Sequence, residues 1–366
     1  MTPYNSQGPA AFWRTAVAEK NALAIGPLWT PKFPISRRDA IVTAGSCFAQ
    51  HIGRAFSARR YNWFDAEPAP PKMPKASADA FNYGIFSFRT GNIYTTALLR
   101  QWVSWALKRE APPDEFWEKD GRYYDPFRPV VEPDGFASLD EARISRAGTI
   151  DAVRRAIGNA KVFVFTLGLT ESWSNRETGI HYPMCPGTAA GEFDPDLHVF
   201  SNLTYPEILA DLHDAITMMR EVNPDLRFLL TVSPVPLTAT ATDTHVLVAT
   251  TYSKSTLRAV AGDTASAFEF VDYFPSYEIV TNPCYRGLFF EPNMRSVAPE
   301  GVDFVMSSFF ACLGDKGFKK NMEAGEAASP GKDTTGHDAL SAADEEDDIA
   351  CEEELLAAFG PESAVR

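Results

Sequence analysis

The chain has 366 residues, 45% hydrophobic and 12% aromatic, which supports a packed core and excludes a chain that is disordered throughout. Its net charge of −14 speaks against nucleic-acid partners; residues 321–366 alone carry thirteen Asp and Glu against Lys332 and Arg366, leaving the first 320 residues nearly neutral. The longest apolar runs, near residues 162–169 and 228–237, fall far short of the roughly 20 residues a bilayer span needs, so no membrane partner is expected. Residues 1–13 lack the pattern of a secretory leader, and the five cysteines are scattered without CxxC spacing, so reduced thiols in a cytoplasmic protein are expected.

Residues 1–35 mix aromatics with prolines around one short helix at 10–23 and read as a wrapping N-terminal arm. Residues 40–44 are a short β-branched run; Gly45, Ser46 and Cys47 follow; then Phe48, Ile52 and Phe56 recur every four residues, the spacing of one helical face. Ser46 therefore stands where a strand ends and a helix begins. Open α/β sheets bind ligands at that edge, and a nucleophile there can lend its own amide to an oxyanion hole. The same residues also serve as a plain turn and helix cap.

Residues 63–75, with prolines at 68, 70, 71 and 74, read as a surface loop. A helix over 95–108 carries Leu98, Leu99, Trp102, Trp105 and Ala106 on one face. Residues 110–147, rich in Pro, Asp, Gly and aromatics, read as an insertion over one end of the sheet, a common place for substrate selection. A helix capped by Thr149 then leads to a buried strand at 161–167, and Thr204 with Glu207 forms a capping box before an amphipathic helix. A strand at 226–232, a helix from His245 or Thr250 to about Ala261, a strand at 267–273 and a last helix at 301–313 complete the alternation. Strand and helix alternating in this way imply a three-layer α/β/α sandwich over residues 36–314, with a mostly parallel, flavodoxin-like sheet. Residues 315–350, poor in aliphatic side chains and holding an acidic run at 344–348, read as a disordered tail. Residues 352–359 form an isolated apolar patch, read as a solvated helix with docking on a protein partner as the alternative.

Gly45-Ser46-Cys47-Phe48-Ala49 spells the motif after which the GSCFA family is called. Other segments resemble the same family in the same order: Tyr83-Gly84 with residues 91–95, residues 165–173, 231–237, 245–249 with Ser253-Lys254-Ser255, and 273–278. The chain thus resembles a bacterial group that looks like a branch of the SGNH (GDSL-like) hydrolase superfamily. The resemblance covers roughly residues 35–310. It implies an esterase without a cofactor, acting on a small-molecule or glycan ester such as an O-acetyl group, through an acyl-enzyme on Ser46. It further implies oxyanion donors at Gly84, Asn92 and the Gly168 loop, where Thr170 stands in the position of the superfamily asparagine. Cys47 is a rival nucleophile.

The superfamily's Asp-x-x-His corresponds here to Asn293-Met294-Arg295-Ser296, which lacks both groups. Among six histidines, His245 is the expected base, because a short loop joins it to the strand at 226–232; Glu171, Asp243 and Glu278 are the candidate orienting acids, with Asp272, at a strand's carboxyl end and more often a structural cap, as a fourth. No His and carboxylate cluster has ligand spacing, so no metal is expected, and no GxGxxG follows a strand. Two alternatives use the same residues differently. One is acyl transfer to a sugar; the other is a non-catalytic module that binds a glycan and recruits a protein partner through the acidic tail.

Overall fold

The computed structural model describes residues 2–314 and 352–359; the segment expected to be disordered lies outside them. In chain order the elements are β1 (Ile41–Gly45), α1 (Phe48–Ala58), α2 (Lys75–Ala80), α3 (Thr96–Ala106), β2 (Trp117–Lys119), β3 (Arg122–Tyr124), α4 (Leu139–Asn159), β4 (Val162–Leu167), β5 (Glu171–Asn175), β6 (His181–Tyr182), β7 (His198–Asn202), α5 (Tyr205–Val222), β8 (Arg227–Val232), α6 (Val246–Ala267), β9 (Val271–Tyr273), α7 (Ser276–Thr281) and α8 (Pro299–Cys312).

Strands β1, β4, β8 and β9 form a parallel sheet in that order, with Gly45 opposite Thr166 and Leu167 opposite Val232. Side chains alternate between two cores, as strand geometry requires. Val42, Ala44, Phe163, Phe165, Phe228 and Leu230 face α3, α4, α5 and α6; Ile41, Val162, Val164 and Leu229 face α1, α7 and α8. Burial on both faces explains why apolar side chains occupy both faces of these strands. The expected three-layer α/β/α sandwich is what the chain forms.

Residues 62–64 correct the reading of 63–75 as loop throughout. Ile41 N–H donates to Asn62 O at 2.9 Å, Phe64 N–H donates to Ile41 O at 2.8 Å, and Trp63 bridges Ile41 in parallel. The chain therefore leaves β1 to one side and returns to its other side with β4. That reversal creates a switch point between the carboxyl ends of β1 and β4, where open α/β sheets bind ligands.

Other expectations change: α6 runs on to Ala267, so the strand expected at 267–273 is only Val271–Tyr273. The arm has no regular helix at 10–23, only short turns and a five-residue π-helix at Arg14–Ala18, and its Phe12 and Trp13 are exposed; its anchor is Trp29, stacked on Phe309 and bonded to Asp272. Helix α4 begins at Leu139 because the Ser138 hydroxyl accepts the Glu141 N–H, and Thr149 lies inside the helix as a partner of Arg128 and Glu67. Residues 171–202 form a small antiparallel sheet in the order β6-β5-β7, directly after β4.

Candidate active site

Gly45 ends β1 with φ +128°, and a Cβ there would lie 2.4 Å from Thr166 O. Only glycine lets the chain turn this tightly against β4. Ser46 follows, 2% exposed, its carbonyl accepting the Ala49 N–H at 2.8 Å as α1 begins. The Ser46 hydroxyl is buried and has no hydrogen-bond partner among the described residues. Its amide is not available to an oxyanion, because it donates to Thr166 O at 3.0 Å; this corrects the expectation that the turn offers that N–H.

The wall around Ser46 comes from two further segments. Ile93 N–H donates to Gly45 O at 2.8 Å, which sets the buried Asn92 one residue from the turn. Tyr94 O accepts the N–H groups of Gly168 and Leu169 at 3.1 and 3.0 Å. A Cβ on Gly168 would meet the Ser46 Cβ at 3.0 Å, so the glycine lets β4 and β1 close together at their ends. Gly84 is exposed, but its neighbours Ile85 and Phe86 pack on Ala49 in the first turn of α1. Ser46, Asn92 and Gly168 are thus brought together, with Gly84 at the rim.

The remaining sequence candidates lie elsewhere. The Thr170 hydroxyl donates to Asn202 Oδ1 at 2.6 Å and so has no hydrogen left for an oxyanion; its amide donates to Ser253 Oγ at 3.1 Å. Glu171 accepts the Thr240 hydroxyl at 2.5 Å and the Ala241 N–H at 3.1 Å, tying down the loop after β8 rather than a histidine. His245 is exposed and caps α6, its Nδ1 accepting the Leu247 N–H at 3.1 Å. An imidazole nitrogen satisfies a free helix N–H as readily as it takes a proton, and here it does the former. Glu278 is held by Arg258 and the Tyr273 hydroxyl.

Among the described residues no other histidine takes the vacant role. His181 Nδ1 lies 2.9 Å from Ser172 Oγ, and burial, with the Arg100 charge added, lowers the ring to about 4. Burial and then Arg54 likewise lower His51 to about 4; its ring tilts against Phe48. His198 Nδ1 accepts the Asp194 N–H, and His213 meets Thr264.

Lys254 is the group that sequence reasoning passed over. It is 2% exposed, and its Nζ donates to Gly168 O at 2.7 Å. Ser46 and Lys254 therefore flank the same glycine. The signal was present: Ala249, Ser253, Lys254, Leu257, Val260 and Ala261 form the buried stripe of α6, and a lysine in such a stripe marks a site or a specific partner.

Beside the 168–171 loop lies a cavity of about 710 Å³, lined by Glu171, Trp173, Cys185, Phe193 and residues 239–241. Trp173 and Phe193 meet edge to face at 5.5 Å, and burial pushes the Cys185 thiol up to about 11, so it stays protonated. The described residues hold no group of three or more His, Cys, Asp or Glu arranged for a metal, and no described helix is long and apolar enough to cross a membrane.

Comparison with protein families matches residues 40–309 to the GSCFA family. No curated protein and no solved structure matches the chain.

Proposed function

The chain belongs to the GSCFA family, and from that premise we propose that it is an SGNH-like hydrolase, cleaving an ester of a small molecule or glycan through an acyl-enzyme on Ser46. The observation that carries this reading is the Ser46 hydroxyl, buried and unpartnered at the switch point of the sheet, on the glycine that also receives Lys254. A polar atom buried without a partner costs free energy, and nucleophiles are a recurrent reason for keeping one.

Lys254 supplies the base that the Asn293-Met294-Arg295-Ser296 stretch lacks. In this mechanism Lys254 acts as base in its unprotonated form, its four-carbon stem turning Nζ from Gly168 O towards Ser46. Ser46 Oγ attacks the ester carbonyl as its proton passes to Lys254; the Oγ–C bond forms, the C–O bond to the alcohol breaks, and the alcohol leaves with that proton. Water then attacks the acyl-enzyme by the reverse proton path and releases the acid. Asn92 and the Gly84 N–H are the oxyanion donors, since the Ser46 and Thr170 groups are engaged. A sugar hydroxyl in place of water makes the same site an acyl transferase. The four described cysteines are all free thiols, which supports the cytoplasm as its compartment.

A second reading, a non-catalytic binding module, is favoured by one observation, the Ser46 N–H spent on Thr166 O. Hydrolysis of p-nitrophenyl acetate separates the two. On the enzyme reading Ser46→Ala and Lys254→Met abolish turnover, while His245→Ala leaves it within about twofold of wild type; turnover unaffected by Ser46→Ala, or absent in the folded wild type, supports the binding module.

A further inference from the structure

The described residues at the C-terminal end of the chain return to the body. Glu352–Phe359 forms a short 3-10 helix whose Leu356 and Phe359 line the 710 Å³ cavity beside Trp173 and Phe193. Glu354 Oε1 lies 3.3 Å from Arg295 Nη1, and the Arg295 side chain is 19% exposed, against 59% for Glu354. The segment thus meets the body by two different contacts, one apolar and one ionic.

Each contact has a counterpart in the body. The cavity wall is aromatic, with Trp173 and Phe193 edge to face. Arg295 belongs to the turn before α8, held by Asn293 Oδ1 accepting the N–H groups of Arg295 and Ser296 at 2.9 Å each. A guanidinium held on a fixed turn is a site for a carboxylate or another oxyanion. The seat is shallow. Phe359 is 68% exposed and Leu355 40%, so the segment rests on the rim and can leave without unfolding the body.

We propose that the cavity and Arg295 together form a binding site for an amphiphilic anion, with an apolar or ring portion between Trp173 and Phe193 and an acidic group on Arg295, and that residues 354–359 are its built-in competitor. Glu354 stands in for the ligand's acidic group, and Leu356 with Phe359 for its apolar part. A ligand whose acidic group takes Arg295 displaces Glu354, and with it the segment, so the segment sets the apparent affinity. A competitor seated about 90% of the time weakens that affinity about tenfold. The proposal does not need Ser46 chemistry, because both contacts belong to binding alone.

The test is a fluorescence titration of the full-length chain with anilinonaphthalene sulfonate, an apolar anion. The variant Glu354→Gln/Leu356→Ala/Phe359→Ala changes only one partly covered and two exposed side chains, so the body keeps its melting temperature. It is expected to bind the probe about three- to tenfold more tightly than wild type, and Arg295→Gln added to it reverses most of that gain. Hydrogen exchange read on the same pair is expected to rise at residues 188–193 and 239–241, the walls the segment covers. Unchanged affinity together with unchanged exchange in the triple variant overturns the proposal, as does a gain that survives Arg295→Gln. Ser46→Ala in either background leaves probe binding as it was, so failure of the ester reading and failure of this one give different results.

Discussion

Gly45→Ala is the sharpest test of how the turn is built. With φ at +128°, an L-residue at this position costs about 1–3 kcal/mol in backbone strain alone. The new Cβ would also sit 2.4 Å from Thr166 O and 2.7 Å from Thr166 N, main-chain atoms of a central strand that cannot rotate away. Displacing that strand adds a further 1–3 kcal/mol or so, the usual cost of overpacking. The total, about 2–6 kcal/mol, corresponds to a melting temperature lower by about 4–12 °C at roughly 2 °C per kcal/mol for a domain of this size. Gly84→Ala is the matched control: φ is also positive, +71°, but a Cβ there meets nothing within 4 Å, so only about 1 kcal/mol is expected. Differential scanning calorimetry of both variants decides the matter. A Gly45→Ala protein melting within 2 °C of wild type, or no lower than Gly84→Ala, would refute the close approach of β1 to β4 at Ser46.

Two further outcomes concern the body. Asp125 is fully buried; burial pushes its carboxyl up, but Arg146 and Arg128, bonded to it at 2.8 and 2.7 Å, outweigh that and hold it below the usual carboxylate range. Asp125→Asn leaves two guanidiniums buried without their counter-charge, and a loss of about 3–5 kcal/mol is expected in urea unfolding; a loss under 1 kcal/mol contradicts the burial of the cluster. His51 and His181 titrate near 4 when folded against 6.5 for the ordinary ring. The unfolded chain therefore takes up protons first as the pH drops. Stability from these rings is complete above about pH 6.5 and falls by up to about 1.4 kcal/mol per pH unit per ring towards pH 4. His181→Gln should flatten that dependence between pH 6.5 and 4.5, and an unchanged slope in urea midpoints would show that the ring titrates normally.

The parts of the fold that local pattern specifies were legible in the sequence. The β-branched run before Gly45 and the four-residue spacing of Phe48, Ile52 and Phe56 located β1, the turn and α1, and the buried runs located β4 and β8. What local pattern does not encode was missed. The start of α4 is polar, with Asp140, Glu141 and Arg143 exposed to solvent, so only the Ser138 cap marked it. The Trp63 bridge is too short to carry a period, and β5, β6 and β7 are defined by pairing across distant residues. The site divided along the same line. Ser46 followed from its place at a strand's end, whereas a loop histidine and a helix cap look alike in sequence, and His245 is the cap. Lys254 reads as a surface residue by type; its burial follows from Gly168 O, a partner supplied by another element.

The most direct test of Ser46 as a nucleophile is reaction of the full-length protein with a fluorophosphonate probe, followed by peptide mass spectrometry. The account predicts one adduct, on Ser46, absent in Ser46→Ala, strongly reduced in Lys254→Met and unchanged in His245→Ala. An adduct elsewhere, an adduct on Ser46 that persists in Lys254→Met, or no adduct on protein whose melting transition is intact would contradict it.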